Sequence, residues 1–450
     1  MDGELHLETW QSALERHDPV ALRGMVRKAR PADVAEIIGH LNEDQGLTLL
    51  RALPRNDAAV VLAMLPESTR AELLDDLSDQ ILSDLVAHLP LDDAADLLAE
   101  LSVEQVPEVL EAIPYEQSEA LRRLLSYGEE TAGGLMTPVL VSVPVSATVS
   151  QAVEEIRRAD IDEELFNVYV TDEVGRLTGL VPIYALVTRP GETPIQRFMR
   201  TDLITARADE DQEVVVQICR KYDLAAVPVV DDQGRLLGRI TADDLMDAAD
   251  EEAAEDLYRM AGTDPAELES ASSLRAARIR GLWLLPCFTV TLLLAGIVQF
   301  FEARFATEVK VLVLAFMPVI AAMGGNTGIQ TSTRIVRALA TGGDPESRLN
   351  RAVTREAPIA LVLALCFGLL ATIAGSAFGY YYYHGALRLG FAVGVGMTSA
   401  IVVSATLGVG LPFLFRRIGV DPAIASGPII TSSNDIISVA IYLTAAAALV

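Results

Sequence analysis

The pattern of hydrophobic and polar positions changes character along the 450 residues of the chain. Between residues 41 and 113 an apolar residue recurs at every twelfth position: Leu41, Leu53, Leu65, Leu77, Leu89, Leu101 and Ile113. Each is followed at once by a helix-starting residue: Asn42, Pro54, Pro66, Ser78, Pro90, Ser102 or Pro114. Apolar pairs come eight and nine positions after each, from Leu49-Leu50 to Val109-Leu110. Asn and Ser are N-cap residues, and Pro suits the first helical turn. The spacing predicts seven short helices stacked as a solenoid, held together mainly by contacts between neighbours.

From residue 137 to 250 the pattern alternates between Val- and Ile-rich stretches and helical ones. Residues 168–179 (VYVTDEVGRLTG) return at an offset of 59 as residues 227–238 (VPVVDDQGRLLG). Each copy predicts strand, acidic Gly turn, strand, and then a helix from Ile183 or Asp243 onward. This repeat resembles a tandem CBS-domain pair, a cytosolic α/β module that often senses ligands. The resemblance brings in adenine nucleotides, ATP among them, as a ligand class for the pair.

Uncharged runs then cover residues 281–301, 311–333, 357–383, 389–415 and 422–450, the last interrupted by Asp435. Each reaches the roughly 20 residues that a helix needs to cross a bilayer, so five spans are predicted. Basic residues mark alternate loops: Arg275, Arg278 and Arg280; then Arg334, Arg337, Arg348, Arg351 and Arg355; then Arg416 and Arg417. The other two loops hold Arg304 with Lys310, and Arg388. The asymmetry places the amino terminus in the cytosol and the carboxyl terminus outside a multi-pass protein of the cell (inner) membrane. The first thirty residues lack the apolar core of a signal peptide, in agreement.

Charge sharpens the division. The net of −27 resolves into −33 for residues 1–270, with 22 basic and 55 acidic residues, and +6 for the remainder. So acidic a front part is a poor match for nucleic acid. Its Leu, Val and Ala content argues against disorder. Cys219, Cys287 and Cys366 make neither a disulfide framework nor a zinc site. The five histidines are scattered, with no phosphate loop, nucleophile elbow or Cys–His cluster, so the reading is not an enzyme.

Candidate chemistry gathers in two places. Asp435 is fourteenth of the 29 residues in its run, near mid-membrane, where a carboxylate costs at least ~2.5–3.5 kcal/mol. It serves either an ion pathway or, as a protonated or paired acid, helix association; no basic residue lies deep in another span to pair with it. Gly427, Thr431 and Asp435 fall on one helical face, an oxygen-rich stripe suited to hydrated Mg²⁺. The run 323–333 (MGGNTGIQTST), with Gly325, Asn326 and Thr327, either exposes oxygens to a wet path or packs helices through small residues. Five helices hardly enclose a wet pore, whereas a twofold dimer would bring two Asp435 carboxylates to one axis. The second place is the run from Asp243 to Asp256, which with Asp92, Asp93 and Asp96 reads as a solvated face or as divalent-cation sites between domains.

Solenoid, CBS pair, acidic helix and five spans, in that order, resemble the MgtE family of magnesium channels. Gly324-Gly325-Asn326-Thr327-Gly328 carries the likeness most specifically, supported by residues 132–138 (AGGLMTP) and 419–423 (GVDPA). The resemblance implies a homodimeric Mg²⁺-selective channel for magnesium uptake, closed when internal Mg²⁺ bridges its acidic cytosolic domains. It implies an all-α superhelical domain at 1–127, a CBS pair at 128–247, an acidic connecting helix at 248–274 and a five-helix transmembrane domain at 275–450. The pore aspartate falls on Asp435, and the regulatory acids on Asp92, Asp96, Asp211, Glu213, Asp223, Asp244 and Asp247. Glu252, Glu255 and Asp256 match on the connecting helix, and Asp421 matches at the membrane face. Two departures stand out: Gly427 replaces an expected Asn, and Ser438 an expected Gly, the first implying looser selectivity. A H⁺- or Na⁺-coupled divalent-cation carrier and a non-transporting CBS sensor are the alternatives.

Overall fold

A computed structural model describes residues 7–16, 18–159, 165–264, 267, 273–340, 345–382, 386–425 and 427–450. Pro265 and Ser270 to Ser272 of the predicted connector, and Tyr383 of the third apolar run, lie outside the described residues. The chain divides into two compact units, Met1–Asp250 and Glu251–Val450.

Among the described residues, ten helices open the first unit: α1 (Leu7–Glu15), α2 (Pro19–Val26), α3 (Pro31–Ile38), α4 (Glu43–Ala52), α5 (Arg55–Ala63), α6 (Glu67–Asp75), α7 (Asp79–Val86), α8 (Leu91–Ala99), α9 (Gln105–Ala112) and α10 (Tyr115–Leu124). The twelve-residue period thus describes only the later part of the stack, and α1 to α3 precede it. The periodic residues from Leu53 to Ile113 are buried, as are all the apolar pairs from Leu49-Leu50 to Val109-Leu110. One helix and its connector fill each period, so the same side of every helix meets the core. Alternate helices pack on one another, α3 on α5, α5 on α7 and α7 on α9, with α4 on α6 and α8 on α10 in a second row. The helix starts differ in one detail from expectation. Pro54, Pro66, Pro90 and Pro114 occupy the N-cap itself rather than the first turn, in extended conformations that α-helical residues do not adopt. Asn42 caps as expected, its Oδ1 accepting from Gln45 N at 3.0 Å.

The repeat that follows forms two three-stranded sheets of one design. Strands β1 (Ser142–Pro144), β2 (Asn167–Thr171) and β3 (Leu177–Pro182) lie in that order, as do β4 (Ala206–Arg207), β5 (Val227–Val230) and β6 (Leu236–Ile240). In each sheet the first pair is parallel and the second antiparallel. The acidic turns match in detail. Asp172 Oδ1 accepts from the N–H groups of Val174 and Arg176, and Asp231 Oδ1 from those of Gln233 and Arg235. Gly175 and Gly234 follow with φ of 82° and 78°, a region closed to most side chains. The two turns bond to each other, Leu177 N to Gly234 O and Leu236 N to Gly175 O, which joins the halves about a local twofold. Helices α11 (Val149–Ala159), α12 (Ile183–Val187) and α13 (Gln212–Tyr222) flank the sheets, and α14 (Ala242–Ala261) leaves them. The limit between the two units falls inside α14.

Among the described residues, five long helices fill the second unit: α15 (Ser273–Glu302), α16 (Thr307–Ala340), α17 (Pro345–Tyr382), α18 (Ala386–Arg417) and α19 (Gly427–Leu449). All five are long and apolar enough to cross a membrane, the number that the uncharged runs predict. α18 is the central helix, packed against α16, α17 and α19, while α15 rests on α19 and has no buried residue. Tyr442 Oη donates to Val313 O at 2.8 Å and fastens α19 to α16. The fifth helix is shorter than its run suggests. Residues Pro422–Ala425 form a 3₁₀ turn, and α19 starts only at Gly427.

Truncating a buried pair member in the repeat should cost far more than trimming its surface. Leu85 is 1% exposed and Val103 85%. Leu85→Ala is expected to destabilise by about 2–5 kcal/mol and Val103→Ala by less than about 0.5 kcal/mol. Thermal unfolding of the two variants, followed by helix signal, checks the difference.

Candidate functional site

With the fifth span beginning at Gly427, Asp435 is ninth of 23 helical residues, about 12 Å along the axis at 1.5 Å per residue. The carboxylate therefore stands closer to the Asp421 end of the span than the mid-membrane position expected from the uncharged run. It is half-buried, and no Lys or Arg pairs with it among the described residues. One turn earlier, Thr431 Oγ1 donates to the carbonyls of Gly427 and Pro428, each at 3.1 Å. Its proton is committed to the helix, so the oxygen offers lone pairs to the surroundings.

The glycine run of α16 is helical throughout, and its function is close packing. A Cβ on Gly324 would run into the Asn434 amide, one on Gly328 into Ile430 and Ser404, and one on Gly325 would lie 3.2 Å from Thr431 Cγ2. Of the two uses open to this run, packing through small residues is what the backbone shows, and its carbonyls remain in the helix. The result is a close seam of α16, α18 and α19 lined by small polar groups. Asn434 is fully buried in it, its amide 3.2 Å from both Ala400 O and Gly325 N. Ser332, Ser404 and Ser438 are likewise buried, and Ser438 Oγ donates to Asn434 O. Asn326 is exposed on the single chain, and Thr327, whose Oγ1 donates to Met323 O at 2.9 Å, is buried. Sequence reasoning missed Asn434, although its place beside Asp435 on an otherwise apolar helix was a signal.

Gly427 has a different task from the one expected of it. Its φ is 34°, and a Cβ there would collide with the carbonyl of Met260. A Cβ on Gly262 would meet Pro428 Cγ at 2.6 Å. The end of α14 therefore sits against the first turn of α19, and the Gly in place of an expected Asn is what lets the two backbones meet. Arg259, near the end of α14, forms ion pairs with both Glu255 and Asp421. Asp421 Oδ1 also accepts from Ala423 N at 2.8 Å and thereby holds the 3₁₀ turn. Asp256 is raised by burial and by the nearby Asp421, with Arg259 opposing. Glu252, Glu255, Asp256 and Asp421 thus share the second unit, and Arg259 was the unforeseen cation among them.

In the first unit, α8 and the start of α14 meet at a cavity of about 410 Å³ lined by Asp92, Asp93, Asp243, Asp244 and Arg239, among others. Burial, and then Asp92, Asp244 and Asp243, push Asp93 up to about 7. Asp244 is pushed up to about 6, first by burial and then by Asp92 and Asp243, although Thr241 donates to it from both N and Oγ1. These are acids that repel one another in a partly desolvated space. Asp96 lies one turn along α8, and Asp247 one turn along α14, where burial followed by Asp243 and Asp250 raises it. Asp92, Asp93 and Asp96 of α8 therefore lie within electrostatic reach of Asp244, with Asp243 beside Asp93, whereas Asp247 is coupled to Asp243 and Asp250 along its own helix. Among the described residues no three His, Cys, Asp or Glu side chains converge into a finished metal site. An all-oxygen donor set of this kind suits a hard cation that keeps its waters.

Asp211, Glu213 and Asp223 lie apart from that cavity. Asp211 is the N-cap of α13, its Oδ1 accepting from Glu213 N at 2.9 Å, and Glu213 accepts from Gln217 Nε2 at 3.1 Å. Asp223 ends the same helix in the left-handed region with φ of 52°. Capping accounts for the first and third of these positions.

Comparison with known proteins follows the same divisions. Residues 317–445 match the family MgtE, described as a divalent cation transporter. Residues 29–130 match the MgtE intracellular N domain, and 132–190 and 195–251 match CBS domains. The chain is 35% identical over 333 residues to the magnesium transporter MgtE of Thermus thermophilus, covering 73% of this chain and 71% of that protein. It is 35% identical over 327 residues to the magnesium transporter MgtE of Enterococcus faecalis, covering 72% and 70%. The crystal structure of the cytosolic domain of the Mg²⁺ channel MgtE in complex with ATP superposes with a TM-score of 0.51 at 33% identity. That likeness covers 54% of this chain and 99% of the other. The family matches fall on the helical stack, the CBS pair and the apolar helices from α16 onward, and the chain belongs to the MgtE family.

Proposed function

We propose that the chain carries Mg²⁺ across the cell membrane as a homodimeric channel gated by internal Mg²⁺. The observation that carries the reading is Asp435: a half-buried carboxylate inside an apolar helix bundle, with no cationic side chain paired to it among the described residues. Such a group needs water or a cation to balance it. Mg²⁺ sheds its waters reluctantly, so Asp435 and the lone pairs of Thr431 would act on the hydrated ion through those waters. The kinship with magnesium transporters names the ion.

A second copy completes the path. Asn326 and Gln330 are exposed on the single chain, four residues apart on α16, and α15 buries none of its residues. Amide side chains turned to lipid are costly, and a twofold partner would cover them while bringing a second Asp435 to the axis. The positive-inside pattern puts the acidic amino-terminal part in the cytosol and the carboxyl terminus outside.

Gating is assigned to the acid-walled cavity and the two ends of α14. Mg²⁺ entering the cavity offsets the repulsion among Asp92, Asp93, Asp243 and Asp244 and so favours the closed arrangement of α8 on α14. The far end of α14 rests on Gly427 and Pro428 at the start of the pore helix, where Arg259 holds Asp421. Moving a gate from 1:99 to 99:1 needs about 5.5 kcal/mol of differential binding. One weak site at ten times its dissociation constant supplies ~1.4 kcal/mol, so about four sites suffice. For ATP, the cavity's acids are unsuited to a triphosphate. The CBS surface instead offers Arg200, whose Nη2 donates to Tyr184 Oη at 3.3 Å, with both side chains exposed. That pair could hold a phosphate and stack on a base.

Three outcomes are expected. In proteoliposomes, Asp435→Ala and Asp435→Asn should lower Mg²⁺ flux at least about tenfold, the worth of 1.4 kcal/mol, while dimer content stays unchanged; undiminished flux in both would refute the pore assignment. The double variant Asp93→Asn, Asp244→Asn should raise the Mg²⁺ concentration that half-closes the channel by about tenfold, with maximal flux retained. The third is a pH effect. Asp93 and Asp244 keep their protons to about 7 and about 6 in the fold, against about 4 when unfolded. The folded state thus binds more protons between about pH 4 and 7, and stability falls as pH rises through that window. Melting of the intact protein without Mg²⁺ should occur at lower temperature at pH 8 than at pH 5.5, and Mg²⁺ at pH 8 should reverse the loss.

A further inference from the structure

The acid face of α8 does not end at the cavity. At about 100° per residue, Asp92, Asp93, Asp96 and Glu100 share an arc of about 100° around the helix. Ala94, Ala95, Leu97 and Leu98 fill the other side and are buried. Asp92 and Asp93 line the cavity, and Asp96 and Glu100 carry the same face away from it. At the far end stands Arg70 of α6, outside the cavity wall. Its Nη2 donates to Glu100 Oε1, and its Nη1 donates at 2.9 Å to the carbonyl of Ala63, the last residue of α5. The two side chains of the ion pair are 16% and 15% exposed.

As a structural clasp this pair is incomplete. Guanidinium and carboxylate form their strongest pairs through two parallel hydrogen bonds. Here one arm of each is used, and among the described residues Arg70 Nε and Glu100 Oε2 are buried without a hydrogen-bond partner. The charge of Arg70 is felt along the acid face instead. It opposes the upward shift that burial and the neighbouring acids impose on both Asp93 and Asp96. Arg239 supplies a cation in the cavity wall itself, 1% exposed, with its Nε donating to Val139 O at 2.9 Å. Arg70 acts from behind that wall. A fixed positive charge beside an acid site repels a divalent ion twice as strongly as a monovalent one in the same place.

We infer that Arg70 is a positioned counter-charge that sets how weakly the acids of α8 hold Mg²⁺. It is a positioning residue and not a ligand, since its own bonds go to Glu100 and Ala63. A site that reports an ion has to empty when the ion is scarce, and carboxylates crowded on one face would otherwise retain a divalent cation through its waters. The effect belongs to the charge of the side chain at 70. Removing that charge tightens the site, whereas lysine, which keeps the charge and lacks the planar fork, preserves it. The inference deepens the reading of the cavity as a Mg²⁺ site and rests on it.

Thermal unfolding of the intact protein at pH 8, titrated with Mg²⁺, gives the concentration that produces half of the full stabilisation. R70Q should lower that midpoint by roughly three- to tenfold. R70Q/E100Q should lower it as well, and this variant leaves no buried charge without its partner. R70K should keep the wild-type midpoint, and so should R55Q, which removes an exposed positive charge from α5. Losing the bond to Ala63 O should lower the melting temperature without Mg²⁺ in R70Q, and a merely structural role predicts that fall with no change of midpoint. An unmoved midpoint in R70Q/E100Q, a shift in R70K as large as in R70Q, or an equal shift in R55Q would overturn the inference. Absence of any Mg²⁺ stabilisation in the wild type would overturn the cavity reading and this inference together, whereas stabilisation with an unmoved midpoint in R70Q/E100Q overturns the inference alone.

Discussion

A carboxylate inside an apolar helix bundle has to be balanced by water, a proton or a cation, and the second unit is built around that requirement. The surroundings of Asp435 supply no basic side chain among the described residues. What they supply is oxygen, from Thr431 on the same helix face, and a close seam of small residues that brings α16 up to α19. The glycines of α16 matter because they remove bulk where Asn434, Thr431 and Ile430 approach. Helix packing and the chemistry at Asp435 are thus one arrangement: the small residues that let α16 approach α19 also place polar groups beside the charge.

The same electrostatic economy governs the first unit with the sign of the problem reversed. There the acids are crowded rather than alone, and burial raises Asp93 and Asp244 into a range where protons and divalent cations compete for them. Like charges gathered in a partly desolvated space are tolerable only with protons or counter-ions present. Helix α14 carries residues of both places: its first turn lines the acidic cavity and its last turn touches the start of α19.

Much of this was legible in the residues. The twelve-residue leucine period, the 59-residue echo and the uncharged runs are repeats of burial, and burial is what hydrophobic pattern encodes most directly. Where the pattern was weakest, the reading fell short. Helices α1 to α3 lack the period because they begin the stack, and prolines adopted the cap rather than the first turn. Span five looked longer because Pro422 to Ala425 carry no charge; their 3₁₀ turn is held by Asp421, and α19 starts at the positive φ of Gly427, neither of which composition expresses. Gly427 itself read as a pore residue with a missing amide, whereas the nearness of Met260, remote in sequence, gives its reason. The acids of α8 and the run from Asp243 onward were legible as a candidate cluster, but which of them meet depended on the helix faces: Asp92, Asp93, Asp96, Asp243 and Asp244 do, while Asp247 is coupled only along its own helix.

The central claim is that the side chain at 435 faces a water-filled path. Replacing Cys219, Cys287 and Cys366 and placing a single cysteine at Asp435 allows its surroundings to be probed chemically in membranes. The account predicts modification by a water-soluble, charged thiol reagent and protection by Mg²⁺. A thiol that resists that reagent, with or without Mg²⁺, and reacts only with a membrane-soluble maleimide would contradict it.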